Sequence, residues 1–318
     1  MMSNRVNLPV SAISEFQCPN CLSIGIWKLN GQPSRRLNSL TAEASCQNCG
    51  QAIFLKKMLE CDGIPAQQCA EMEFSAASKL DTLFKKSPEY GVVEPLERIG
   101  SLLIFEFIRG ITPVTALKMS PVDEAASLMS RLGRWFAKLH DASADGKQTG
   151  DLAGRFEAMK TWSEHQKSYP EVGRALLYLK THLPQLEPDL SRYRQLHGDA
   201  KPENFLIEGD RVVGIDIGWR FLQLPENDLA QFLTQHELSV CGIFGNIEKS
   251  RHRALESAFL DGYRSSTVVD ESILAWLRVY FLLHLWFTTR ETSILHRLRW
   301  DLVYRRRMDC LLLELHNI

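Results

Sequence analysis

The chain of 318 residues lacks a strong charge of either sign: 37 Lys and Arg nearly balance 38 Asp and Glu, and the formal net charge is −1. A near-neutral chain has no general attraction to nucleic acid or to an anionic membrane surface. The sequence also lacks an apolar run long enough to span a bilayer, and it does not open with the basic and apolar segments of a signal peptide. These absences predict a cytoplasmic protein with no membrane span and no nucleic-acid partner.

Cysteine, by contrast, is not scarce, and its placement is uneven. Four of the eight cysteines form two Cys-x2-Cys pairs, Cys18 with Cys21 and Cys46 with Cys49. Two such pairs can surround one tetrahedral ion with four thiolates, the usual arrangement of structural zinc. Disulfides are the alternative, but nothing in the sequence indicates secretion. The remaining cysteines are predicted to be buried small apolar side chains: Cys61, Cys69, Cys241 and Cys310.

The two cysteine pairs lie at the ends of three predicted strands. Residues 23–29, 37–45 and 52–58 have strand-like patterns, and a turn at 30–34 separates the first two. The predicted zinc-ribbon-like element, residues 18–49, therefore belongs to a small β-rich domain and is not a detached finger.

A polar loop at residues 197–207 carries the most specific pattern in the chain. It reads His-Gly-Asp-x4-Asn, with Asp199 and Asn204 five residues apart, and an apolar strand then leads to Asp216. An Asp-Leu-Ala sequence begins at Asp228. This order and spacing resembles the aminoglycoside phosphotransferase and choline kinase family of the protein-kinase-like fold. It is also similar to the protein-kinase catalytic loop H-R-D-x-x-x-x-N, with Gly198 in place of Arg.

The resemblance implies a two-lobed α+β fold. The expected N-lobe, residues 1–107, is small and β-rich, and it carries the four-cysteine element and the nucleotide-binding strands. The expected C-lobe, residues 108–318, is larger and mostly helical, and it contains the catalytic loop and Asp216. Predicted helices at 70–84 and 121–140 have apolar residues at helical spacing.

The resemblance also implies ATP-dependent phosphoryl transfer to a hydroxyl group of a small molecule. Such chemistry needs a group that orients the attacking hydroxyl and ligands for magnesium on the phosphates. Asp199 suits the first role, and Asn204 with Asp216 suits the second, because Mg²⁺ prefers oxygen ligands. Asp228 corresponds to a carboxylate that braces the catalytic loop in the family.

In the family, a lysine on the third strand reaches the nucleotide phosphates, and an acid on the next helix holds it. Lys56 is the predicted lysine because Phe54-Leu55-Lys56 matches the family's apolar-apolar-Lys pattern, and Lys57 is the alternative. Only one of the two lysines can face the cleft, because neighbouring strand residues point to opposite faces. Glu73 is the predicted acid, with Glu71 also possible. Backbone groups of a hinge strand would meet the adenine of ATP, and the predicted residues are Glu106, Phe107 and Ile108.

The sequence departs from kinase patterns at the phosphate loop, because it has no Gly-x-Gly-x-x-Gly. Only Gly31 stands between the first two strands, with Arg35 and Arg36 nearby. The phosphate-binding loop is therefore unassigned. The basic run at 305–307 is expected to be a solvated helix face.

Three further functions remain open at the level of sequence. Lys201 lies two residues after Asp199, as a lysine does in serine/threonine protein kinases, so a protein substrate is possible. The short interval between Asp216 and Asp228 argues against a long activation loop. A catalytically silent module that binds a nucleotide or a partner is the second possibility. A zinc-ribbon nucleic-acid binder is the third, and the neutral charge disfavours it. No sequence pattern identifies the phosphate acceptor or the oligomeric state.

Overall fold

The computed structural model describes residues 8, 13–61, 63–141, 152–164, 169–183, 190–218, 222–241, 248–288 and 294–315. Its strands are β1 Trp27–Leu29, β2 Ser34–Arg35, β3 Ser39–Cys46, β4 Ala52–Met58, β5 Tyr90–Val92, β6 Pro95–Ile99, β7 Leu102–Glu106, β8 Arg194–Gln195, β9 Phe205–Glu208, β10 Arg211–Gly214 and β11 Leu222–Gln223. Its helices are α1 Ala66–Phe84, α2 Pro113–Met119, α3 Val122–His140, α4 Leu152–Ser163, α5 Pro170–His182, α6 Glu226–Val240, α7 Lys249–Arg264, α8 Glu271–Thr288 and α9 Ile294–Leu315.

The chain divides into two compact units. The first consists of Met1–Gly110 together with Glu208–Ile217, and the second consists of Ile111–Ile207 together with Gly218–Ile318. The segment that carries Asp216 therefore belongs to the first unit, whereas the loop that carries Asp199 belongs to the second.

The first unit is built on an antiparallel sheet in the order β1-β3-β4-β7-β6, with β2 paired to β3. Strand residues alternate between its faces, so Ile53 and Leu55 enter one apolar cluster with the buried Cys18 and Cys46. The opposite face packs against α1 through a second cluster that includes Phe54 and Met58. In the same unit, β10 pairs in parallel with β5.

The second unit has a helical core that supports the predicted catalytic loop at residues 197–207. Helix α3 packs against α7, and α6 packs against α8. The buried rings of Trp135 and Phe136 on α3 contact Phe205, which directly follows Asn204 of the catalytic loop. Phe232 and Phe259 extend this aromatic cluster to α6 and α7. The loop therefore rests on closely packed rings.

The sheet in the first part of the chain and the helices in the second confirm the predicted α+β class. The strand predicted at 52–58 and the helix predicted at 121–140 agree closely with β4 and α3. The strand predicted from residue 23 begins only at Trp27, because Cys18 to Ser23 form a hydrogen-bonded loop. No helix in the described ranges combines the length and the apolarity needed to cross a bilayer.

Candidate functional site

An ion cluster in the first unit joins three residues that are far apart in sequence. Lys56 on β4 donates from Nζ to Glu73 Oε1 on α1 at 2.6 Å. The same ammonium donates to Asp216 Oδ1, 160 positions later in the chain. Lys56 and Glu73 are largely buried, with side chains 11% and 16% exposed, whereas the Asp216 side chain is 48% exposed. The cluster therefore holds a charged lysine with one exposed carboxylate beside it.

Burial by itself lowers the pKa of Lys56, but the carboxylates of Glu73 and Asp216 outweigh burial and hold that pKa above its ordinary value. The lysine is therefore positively charged throughout the physiological pH range. A fixed positive charge of this kind can bind an anionic group such as a phosphate.

The alternation of β4 separates the two candidate lysines. Lys56 shares its face with Phe54, and that face packs against α1, where Glu73 lies. Lys57 points to the opposite face and is half-buried. Glu71, the other candidate acid, is exposed on α1. The structure thus brings Lys56 and Glu73 together and leaves Lys57 and Glu71 outside the cluster.

Asp216 has an unusual backbone conformation. Its φ is +59°, in the left-handed region that residues with a Cβ seldom adopt. The residue closely follows β10, which pairs with β5 inside the same unit. A strained conformation of this kind persists only where the surrounding structure holds it. Such positions are concentrated at functional sites.

The predicted hinge begins at the end of β7. The side chain of Glu106 accepts a hydrogen bond from the backbone N–H of Glu94 at 3.0 Å, and burial raises the pKa of Glu106. Phe107 is half-buried and Ile108 is buried. Glu106 is thus hydrogen-bonded to Glu94 through both its backbone N–H and its side chain.

The loop at residues 197–207, the predicted catalytic loop of the second unit, is organised around Asp199. Its Oδ2 accepts hydrogen bonds from Lys201 Nζ at 2.6 Å and from Asn204 Nδ2 at 2.9 Å. The amide of Asn204 also donates to the backbone carbonyl of Asp199 at 2.9 Å. Because the amide nitrogen of Asn204 is directed toward Asp199, its side-chain oxygen is the atom that could bind a metal.

Asp228 on α6 fixes the start of this loop. Its carboxylate accepts the backbone N–H of His197 at 2.6 Å and of Gly198 at 3.1 Å. The fully buried His140 contacts the same carboxylate at 3.1 Å and the hydroxyl of Tyr263 at 3.0 Å. His140 is therefore part of the support beneath the loop.

Gly198 occupies the position where protein kinases carry Arg. Its φ of +80° lies in the left-handed region, which favours glycine. The loop turns there so that the carbonyl of His197 accepts the N–H of Gly218 at 2.6 Å. The backbone conformation of this loop thus accounts for the glycine.

Gln231 is a contact of Asp199 that the sequence patterns did not reveal. Its Oε1 accepts the N–H of Ala200 at 3.0 Å, and its Nε2 lies 3.5 Å from Asp199 Oδ1. Gln231 is three residues after Asp228 on α6, so helical spacing places both on the side that meets the loop. The three-residue spacing from Asp228 was the sequence signal that could have identified Gln231.

The four paired cysteines converge in the first unit. The sulfur atoms of Cys18, Cys21, Cys46 and Cys49 all lie within 4.8 Å of one another. Cys18 and Cys49 are 3.6 Å apart, and Cys21 and Cys46 are 3.5 Å apart. Four sulfurs held at about 2.3 Å from a tetrahedral zinc are about 3.8 Å apart, so the group has the dimensions of such a site.

The two cysteine pairs form matching loops. The N–H of Cys18 donates to the carbonyl of Ser23, and the N–H of Cys46 donates to that of Gln51. Four residues after each of these cysteines, Leu22 and Gly50 both have positive φ, 63° and 77°. The two loops therefore present their thiols with similar backbone geometry, although only the second has a glycine at the strained position.

The environment of Cys21 favours the metal-binding form of its thiol. Hydrogen bonds from Ser23 lower the pKa of Cys21 to about 5, whereas burial raises the pKa of Cys18 to about 11. A thiolate is the form of cysteine that binds metal.

The four cysteines outside the two Cys-x2-Cys pairs differ in burial. Cys61 and Cys69 are buried, as predicted, and Cys241 and Cys310 are only half-buried.

Within the basic run at 305–307, Arg305 pairs with Glu171 at 3.0 Å, and the buried Arg307 pairs with Glu237. The expectation of a solvated face is therefore wrong for Arg307, because α9 packs this side chain against a carboxylate.

One comparison with known sequences covers the segment that contains the predicted catalytic loop. Residues 88–233 match the sequence profile of the phosphotransferase enzyme family, abbreviated APH. This segment includes the loop at 197–207, Asp216 and Asp228. No curated protein sequence matches the chain significantly. The match supports a phosphotransferase with a hydroxyl acceptor.

Comparison with solved structures confirms the predicted kinase-like fold. A glucosamine kinase matches with a TM-score of 0.61 and 16% identity, over 96% of this chain and 85% of the other. An amicoumacin kinase solved with AMP-PNP and Ca²⁺ matches with a TM-score of 0.60 and 15% identity, over 94% and 90%. A choline/ethanolamine kinase family protein from Mesorhizobium loti matches with a TM-score of 0.55 and 16% identity, over 89% and 88%.

Proposed function

We propose that this protein is an ATP-dependent phosphotransferase that phosphorylates a hydroxyl group of a small molecule. The observation that carries the proposal is the ion cluster in which Lys56 contacts both Glu73 and Asp216. A lysine held charged by two carboxylates is positioned for a phosphate, and it lies in a fold whose solved relatives include small-molecule kinases.

On the nucleotide side, Lys56 binds the phosphates of ATP, and Glu73 keeps the lysine oriented. The backbone of Glu106, Phe107 and Ile108 binds the adenine edge. These residues belong to the proposed N-lobe, residues 1–107, except for Ile108, which begins the proposed C-lobe, residues 108–318.

On the acceptor side, Asp199 orients the attacking hydroxyl and accepts its proton. Lys201 and the amide of Asn204 already hold the Asp199 carboxylate by hydrogen bonds to Oδ2. Oδ1 has a longer contact, 3.5 Å from Gln231 Nε2, and is therefore the better placed oxygen to receive a proton.

The proposed reaction also uses a magnesium ion. The exposed carboxylate of Asp216 and the side-chain oxygen of Asn204 are the proposed ligands, and oxygen is the donor that Mg²⁺ prefers. When bound, the ion supplies charge neutralisation for the phosphates.

The proposal is tested with γ-labelled ATP, Mg²⁺, a panel of small hydroxyl compounds and a protein-free cell extract. We expect the label to appear in a small molecule with the wild-type protein and to be lost with Asp199→Asn. A labelled protein in whole extract would instead favour a protein kinase, for which the contact of Lys201 with Asp199 is the supporting observation. Nucleotide binding without any label would indicate a silent binding module.

We further propose that Cys18, Cys21, Cys46 and Cys49 hold a structural Zn²⁺ in the first unit. The sulfur spacing, the matched loops and the burial of Cys18 and Cys46 in the sheet's apolar core support this site. Reduced thiols at such a site belong to a reducing compartment, so the proposed location is the cytoplasm.

A further inference from the structure

Arg155 on α4 differs from three other arginines of the second unit in the partners that surround its guanidinium. Its Nη2 donates to Gln223 Oε1 at 2.6 Å, and its Nη1 donates to Asn227 Oδ1. Both acceptors are neutral amides. Within the described ranges, no carboxylate lies within ion-pair distance of this guanidinium. Burial lowers the pKa of Arg155, as expected for a cation without a counter-charge.

Three other arginines in the same unit form ion pairs with carboxylates. Arg192 pairs with Glu226 and Asp270. Arg278 pairs with Glu237 and Glu256, and Arg307 also pairs with Glu237. Buried charges are normally paired, because removing a cation from water costs more than neutral hydrogen bonds return. Among the residues that the structure describes, none neutralises the charge of Arg155, although two amides hold its guanidinium in place.

The surroundings of Arg155 hold it in one orientation. The guanidinium carbon lies 5.4 Å from the ring centroid of Tyr280 on α8. The amide of Asn227 is itself fixed, because its Nδ2 donates to the carbonyl of Leu224 at 2.9 Å. Asn227 must therefore present its oxygen to the arginine, and the five N–H groups of a guanidinium exceed the two that these amides use.

Helix α6 links Arg155 to Asp199. Asn227 contacts Arg155, and Gln231, four residues later, contacts Asp199 and the N–H of Ala200. Residues four apart lie on the same helix face, separated by about 6 Å along the axis. Arg155 and Asp199 therefore both contact side chains on one face of α6.

We propose that the acceptor carries an anionic group, a carboxylate or a phosphate, which Arg155 binds while Asp199 faces the hydroxyl. This inference rests on the proposed phosphotransferase function. Carboxylates and phosphates match the planar donor fork of arginine, which gives both affinity and orientation. The acceptor is then an acidic hydroxyl compound rather than a neutral or cationic one.

The test uses the full-length protein, γ-labelled ATP and a protein-free cell extract. The extract is separated on an anion-exchange resin into a retained, anionic fraction and an unretained fraction. We expect label in acceptors of the retained fraction. Treating that fraction with phosphatase, and then inactivating the phosphatase before the assay, identifies the source of the negative charge. Loss of labelling indicates a phosphate, and persistence indicates a carboxylate.

Substitutions of Arg155 test whether this residue binds the labelled acceptor. Arg155→Met should raise KM for the labelled acceptor about 10- to 100-fold, the loss expected for one charged contact, with a smaller change in kcat. Arg155→Lys keeps the charge without the fork and should fall between wild type and Arg155→Met. Arg253→Met removes an exposed arginine from the same unit and serves as the charge-matched control. Retained Mg·ATP affinity shows that each variant is folded.

Two results would overturn the inference while leaving the kinase function in place. One is labelling confined to the unretained fraction. The other is an unchanged acceptor KM in folded Arg155→Met. Absence of label from both fractions with the wild-type protein would reject the proposed function itself, and this inference with it.

Discussion

The carboxylates of the two units are stabilised in different ways. In the first unit, Glu73 and Asp216 both contact the ammonium of Lys56, so these three side chains together carry a net negative charge. In the second unit, Asp199 receives one ammonium from Lys201 and amide N–H groups from Asn204 and Gln231. That second group of side chains is balanced in charge and rich in hydrogen bonds.

This difference predicts different consequences of mutation. A net negative charge that includes an exposed carboxylate favours binding of a divalent cation, so changes there should alter binding of the metal–nucleotide complex. A carboxylate that neighbouring groups hold in one orientation is suited to positioning a hydroxyl. Changes there should alter turnover while leaving binding largely intact.

The largest expected effect is that of Asp199→Asn on turnover. A positioned proton acceptor contributes roughly 10²–10⁴-fold in rate, so kcat should fall by about that factor. Affinity for Mg·ATP, measured by calorimetry, should be largely kept. Asp216→Asn is the matched variant and should instead weaken Mg²⁺-dependent ATP binding by about 10- to 100-fold. The opposite pattern, with Mg·ATP binding lost only in Asp199→Asn, would exchange the two roles.

The cysteine site should affect the first unit more than the second. We expect one zinc per chain by metal analysis of protein kept reduced and never exposed to chelator. Cys18→Ser should lower the free energy of unfolding by at least about 2 kcal/mol, because bound structural zinc contributes directly to folding. Cys241→Ser, at a half-buried cysteine of the second unit, is the control. A metal content near zero in the wild-type protein contradicts this site.

Two adjacent lysines provide a sharper test of the nucleotide side. Lys56→Ala removes the ammonium that contacts both Glu73 and Asp216 and should reduce ATP affinity about 10-fold. Lys57→Ala, on the opposite face of β4, should change ATP affinity less than about 2-fold. Equal effects of the two substitutions would remove the basis for choosing Lys56.

The pKa of Lys56 adds a pH dependence to that comparison. The folded-state pKa lies above the ordinary value of 10.5. The stabilisation from this charge is therefore fully present below pH 10.5 and is lost as the pH rises through the folded-state pKa. The stability difference between wild type and Lys56→Ala, measured by urea unfolding, should stay constant between about pH 7 and pH 9.

Local sequence patterns predicted the elements whose residues are close together in the chain. The alternation of β4 and the apolar spacing of α3 are period signals, and the catalytic loop holds Asp199, Lys201 and Asn204 within a short segment. The short strands β5 and β6 were missed. β5 has three residues, and its pairing with the distant β10 has no local signal.

Long-range contacts could be predicted only through the family resemblance. Lys56 and Asp216 are 160 positions apart, so no spacing rule joins them, and only their family roles suggested proximity. Arg155 had no such role and was missed. Its distinguishing feature is the neutral character of its partners, Gln223 and Asn227, which becomes visible only when the fold brings them together.

The smallest expected effect concerns Gln231, which supports Asp199 without binding either proposed ligand directly. Gln231→Ala removes the acceptor of the Ala200 N–H and the 3.5 Å contact with Asp199 Oδ1. Loss of one such hydrogen bond costs about 0.5–1.5 kcal/mol, so kcat should fall roughly 3- to 10-fold, with Mg·ATP affinity unchanged. Gln235→Ala, one turn later on α6, is the control. If Gln231→Ala changes stability but leaves kcat intact, the residue only packs beneath the loop. If kcat falls while stability is kept, the orientation of Asp199 limits turnover.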